Sequence, residues 1–152
     1  MTSSSRYLVI LMLGAAAACG GAAAGRVAPA PAEPEASIAG FLAAAKAGDL
    51  GRLGELWGDE RGSSSATRHI PAEERQQRLT IIARLLGHDE YRITGWQPSP
   101  TRRGRLVYQV ELSRAGWRAV VPFTLAPSRA GGWLVAEVGL DAAVPVSRPS
   151  QP

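Results

Sequence analysis

At Gly87 the apolar residues of this chain change from a helical spacing to a strand spacing, and no other feature limits its possible folds so strongly. Ahead of that point Ile38, Phe41, Leu42 and Ala45 fall at i, i+3, i+4 and i+7. That stripe predicts a helix over Glu35–Ala47 with one face buried. Gly48 is a stop signal, and Asp49 is a fresh N-cap for a shorter helix over Leu50–Trp57, with Leu50, Leu53 and Trp57 on one side. Asp59–His69 reads as a polar loop. Pro71 suits the first turn of a third helix, Glu73 and Glu74 favour its positive end, and Leu79, Ile82, Leu85 and Leu86 form its apolar face up to Gly87.

Beyond Gly87 the alternation is that of strands. Tyr91 and Ile93 alternate in a first strand ending near Trp96, and Pro98–Gly104 is a turn region. Leu106, Tyr108, Val110 and Leu112 alternate with Val107, Gln109 and Glu111 in a half-buried second strand. Ala115-Gly116 is a tight reversal into a strand with Trp117, Ala119, Val121, Phe123 and Leu125 on one face. Pro122 has no amide proton to donate, so an edge or a bulge is expected there. A turn over Ser128–Gly132 leads to a last strand, Trp133–Leu140. Three helices and then a four-strand antiparallel meander define a segregated α+β fold: three N-terminal helices packed on a curved antiparallel sheet of about four strands.

The chain opens differently. Met1–Arg6 is polar with one positive charge, Tyr7–Ala18 is apolar and ends in small residues, and Cys19 follows. This is the order of an export signal. The apolar run would reach roughly 18 Å as a helix, short of the ~30 Å hydrocarbon core, which disfavours a permanent span. Ala16-Ala17-Ala18-Cys19 resembles the lipidation site of bacterial lipoproteins, although Ala16 stands where that family usually has leucine. The resemblance implies a signal over residues 1–18, acylation of Cys19, and a protein held outside the cytoplasm at a membrane of the cell envelope. The alternative is an ordinary signal peptide cut within the alanine run. Cys19 is the sole cysteine, which excludes an intrachain disulfide, a CxxC redox site and a cysteine-based zinc site.

Residues 19–34 are rich in Ala, Pro and Gly and read as a linker. Residues 35–141 hold the α+β domain, and residues 142–152, with Pro145, Pro149 and Pro152, read as a disordered tail. The net charge of +4 does not point to nucleic acid. Lys46 is the only lysine, the arginines are scattered, and the one dense cluster (Arg102, Arg103, Arg105) lies in a turn without interleaved aromatics.

The folded part resembles the nuclear transport factor two-like superfamily, the cone-shaped α+β barrel shared with ketosteroid isomerase and limonene epoxide hydrolase. The matching residues are Phe41-Leu42, Ala45, Gly48-Asp49, Leu53 and Trp57 in the opening helices, and Trp133-Leu134-Val135 in the last strand. These concern packing and turns, so they bear on fold and not on chemistry. The resemblance implies a space between helices and sheet, where enzymes of the superfamily place acidic residues.

Among the candidates for chemistry, Glu137 shares a face with Trp133 and Val135 by strict alternation, which makes it the best placed for a partly buried carboxylate and a general acid or base; pairing with an arginine such as Arg118 is the plainer alternative. Tyr91, Tyr108 and His69 are further candidates, and Glu111 is expected to point to water. His69 and His88 lie at helix ends without partners at ligand spacing, so no metal site is expected. Ser63, Ser64 and Ser65 lack the setting of a nucleophile, and no phosphate-cradling glycine loop or cofactor motif occurs. Phe41, Trp57, Trp117 and Trp133 could line a pocket, or simply fill the core. The reading is a lipid-anchored envelope protein with a noncatalytic domain that binds a small apolar ligand or a protein partner. The alternative is a cone-fold enzyme using Glu137. Arg118, Thr124, Gln109 and Glu111 on the outer sheet face leave the oligomeric state open.

Overall fold

The computed structural model describes residues 29–67 and 70–144. The expected export signal, Cys19, most of the expected linker, His69 and most of the C-terminal tail lie outside them. The predicted periodicities become elements in the expected order. Helix α1 spans Pro34–Ala47 and buries Ile38, Phe41, Leu42 and Ala45. Gly48 ends it in left-handed backbone, φ 69°, which glycine adopts without penalty. Asp49 then caps α2, Leu50–Leu56, its carboxylate accepting the Arg52 amide at 2.9 Å.

Helix α3 spans Ala72–Leu85, with Pro71 one position ahead of it. Four antiparallel strands follow in simple meander order: β3 (Glu90–Pro98), β4 (Leu106–Arg114), β5 (Trp117–Pro127) and β6 (Trp133–Val138). Ala115 and Gly116, both with positive φ, make the two-residue reversal between β4 and β5. The fold is therefore α+β, with helices against a four-strand antiparallel sheet.

Tyr108, Val110 and Leu112 of β4 and Val121, Phe123 and Leu125 of β5 face the helices and are buried. Phe41 meets Phe123 edge-on, ring centroids 6.2 Å apart, and the Ser37 hydroxyl donates to the Trp133 carbonyl at 2.7 Å, tying α1 to β6. Tyr91 and Trp96 lie on the same side of the sheet but stay exposed on edge strand β3.

Three features depart from expectation. The helices are not all N-terminal: α4, Leu140–Ala143, forms where the last strand was to end, and Ala143 seals the core. The loop after α2 contains a small hairpin, β1 (Gly58–Asp59) with β2 (Gly62–Ser63), joined to the sheet through a parallel bridge from Trp57 to Val135. Two-residue strands carry no periodicity, so alternation could not reveal them. Third, Pro122 lies not in an edge strand but in β5, which pairs with both β4 and β6, although Pro122 itself pairs only with Gln109 of β4. Its carbonyl accepts from Gly139, just past the end of β6, so its missing donor falls where the ladder has already stopped.

Candidate functional site

Arg105 precedes β4 at the end of a tight turn. The Ser99 amide donates to the Arg105 carbonyl, the Arg105 amide to the Arg102 carbonyl, and Gly104 supplies φ 83°. This winding drives the Arg105 side chain inward, where it is only 6 % exposed. The hairpin β1–β2 delivers its partner. At the reversal between the two strands the Asp59 carboxylate accepts the Arg61 amide at 2.8 Å, which projects Glu60 toward Arg105.

The Glu60 carboxylate takes Arg105 Nε at 2.7 Å and Nη2 at 3.0 Å, a two-pronged pair. Glu137 takes Nη1 at 3.1 Å. The hydrogen bonds from Arg105 hold the Glu60 carboxyl well below the usual range, at about 2, against the opposing effect of burial. The same pairing raises the pKa of the guanidinium. Beside the cluster opens a cleft of about 290 Å³, whose walls include Trp57, Ile70 and Ala136 with Arg61, Arg102 and Glu137. Among the described residues no carboxylate approaches Arg61 or Arg102 within ion-pair distance.

Glu137 itself requires a correction. Its side chain is 66 % exposed and not partly buried, and its arginine is Arg105 rather than Arg118. The cause is a bulge. Leu125 pairs with Val135 and Thr124 with Glu137, so Ala136 is an extra residue. One inserted residue moves everything after it to the opposite face. Val138 takes the inward place opposite Phe123, and Glu137 turns outward.

The four pocket candidates are dispersed. Trp57 alone of them borders this cleft. Phe41 is fully buried in the packed core, so it lines no open space. Trp117 lies under the Arg114 guanidinium, 5.2 Å from its ring, at the far hairpin. Trp133 is half-buried against the core beside α1. Between helices and sheet the space is filled by Phe41, Leu42, Leu53, Leu56, Phe123 and Leu125, all without exposed surface.

The remaining candidates have structural roles. Glu111 lies on the outer face between Arg92 at 3.0 Å and Arg118 at 3.9 Å. His88 Nδ1 bonds the Leu86 carbonyl at the end of α3. Ser64 donates to the Gly54 carbonyl, and Ser63 bonds Ser65. The Tyr108 hydroxyl donates to Glu35 at 2.8 Å, and burial together with that bond raises its pKa, so it is no base. Among the described residues no three metal-binding side chains converge, and no helix is long and apolar enough to cross a membrane.

Sequence reasoning missed the centre of the site. Arg105 was one of three turn arginines and Glu60 a polar loop residue; no spacing rule links positions so far apart. No family model, curated protein or solved structure matches this chain. The fold and the cleft together define a small α+β domain with a surface cleft built around the buried Arg105.

Proposed function

We propose that this chain is an exported envelope protein, tethered through an acylated Cys19, whose α+β domain has the nuclear transport factor two-like architecture and binds a small ligand in the Arg105 cleft without transforming it. The helix, Gly48-Asp49 break and second helix, followed by the meander, support the architecture. The leader ending at the sole cysteine supports the tether.

One observation carries the binding reading: the two-pronged Arg105–Glu60 pair with Glu60 held at about 2. A general acid or base works best with a pKa near the ambient pH. Glu60 stays ionised far below neutrality, and Glu137 is exposed and engaged with Arg105. The pair instead builds a rigid polar floor beside Trp57, the arrangement of a recognition site.

Two experiments test the proposal. A small-fragment set titrated into the full chain in detergent should shift the amide resonances of Trp57, Gly58, Gly62 and Ala136; shifts confined to other regions would remove the cleft reading. Intact-mass measurement of membrane-extracted protein should show a mature chain starting at acylated Cys19, and a chain without acyl mass would remove the tether.

A further inference from the structure

We infer that the ligand this cleft accepts is a small organic carboxylate with a flat apolar body, and that Glu137 is the internal group such a carboxylate displaces from Arg105. The inference rests on the cleft-binding reading above.

The two carboxylates on Arg105 are held differently. Glu60 takes two guanidinium nitrogens and comes from a hairpin anchored on both sides, since the Arg129 amide also donates to the Glu60 carbonyl. Glu137 makes one contact, at 3.1 Å, from a side chain two-thirds in solvent. A single contact made by an exposed side chain is weakly held. Glu60 occupies the Nε–Nη2 edge, so the Nη1–Nη2 end of the guanidinium retains donors beyond the one that Glu137 uses. A carboxylate approaching from the cleft can take that end with both oxygens, the geometry that guanidinium groups favour.

The surroundings suit the same chemistry. Arg61 and Arg102 border the cleft with no carboxylate within ion-pair distance among the described residues, so two guanidinium groups remain available to an anion and offset the Asp59 carboxylate that shares the lining. Trp57, Ile70 and Ala136 supply an apolar wall for the rest of the molecule. Because the ligand replaces one carboxylate by another, the buried arginine keeps its charge balance and no new buried charge is created.

The test uses benzoate and the neutral benzamide, titrated into the full chain in detergent and followed by the Trp57 indole resonance. Benzoate should bind and benzamide should not. Glu137→Gln, which removes the competing charge but keeps the size, should bind benzoate about threefold tighter. Replacing both Arg61 and Arg102 with Ala should weaken binding about tenfold, at unchanged thermal stability. The inference is overturned if Glu137→Gln binds benzoate no better than the parent, or if benzamide binds equally well. In the second case a ligand cleft survives without carboxylate selectivity. If neither compound binds and the fragment set also shifts nothing in the cleft, both the inference and the cleft reading fall.

Discussion

Arg105 and Glu60, 45 positions apart, are joined by hydrogen bonds of 2.7 and 3.0 Å that pin the hairpin β1–β2 to the start of β4. The arginine is almost wholly buried while the carboxylate is partly open to solvent, so the pair acts both as a structural clamp and as the floor of a cleft.

The clamp makes the fold sensitive to acid. Glu60 titrates at about 2 in the folded chain against an ordinary value of 4.5. A depressed folded pKa stabilises above the unfolded value, and that stabilisation fades as pH falls from about 4.5 to about 2. Urea unfolding of the parent and Glu60→Gln should show the parent more stable at neutral pH and the gap closing toward pH 2. A gap that stays constant over that range would refute the assignment.

Removing the arginine is expected to cost more than removing the pair. Arg105→Ala leaves Glu60 facing a partly buried site without its counter-charge and should lose about 3 kcal/mol. Arg105→Met combined with Glu60→Leu removes both charges and should recover most of that loss, as measured by chemical denaturation.

The core makes an independent prediction. Phe41 is fully buried against Phe123, so Phe41→Ala should cost about 3–5 kcal/mol and lower the unfolding midpoint without changing the cleft. If Phe41 instead lined an open pocket, the cost would be far smaller.

The break between the first two helices can be tested at its cap. Asp49→Ala removes the acceptor for the Arg52 amide and should cost about 1 kcal/mol in denaturant unfolding, whereas Asp49→Asn or Asp49→Ser should retain most of the stability.

Tyr108 offers a spectroscopic check. Its hydroxyl donates to Glu35 in a buried setting, so its phenol should ionise above the ordinary value of 10 when absorbance is followed during alkaline titration. Tyr108→Phe should abolish that late step.

Much of the framework was legible in the sequence because it is local. The stripe Ile38, Phe41, Leu42 and Ala45, the Gly48-Asp49 break and the alternation from Leu106 to Leu112 are short-range patterns, and each appears where its spacing places it. The position of Glu137 was not legible. Alternation assumes an unbroken ladder, and the extra residue Ala136 breaks it.

By itself, then, the chain's residue order determined the succession of α1 to α3 and of the four sheet strands, and most of the faces they bury, since these follow from spacing along one backbone. Tertiary structure alone decided that Arg105 would meet Glu60 and Glu137, that Trp57 would border a cleft while Phe41 vanished into the core, and that Leu140–Ala143 would close the domain as a helix. Those outcomes depend on which distant segments become neighbours and on one bulge, and neither leaves a periodic trace in a single sequence.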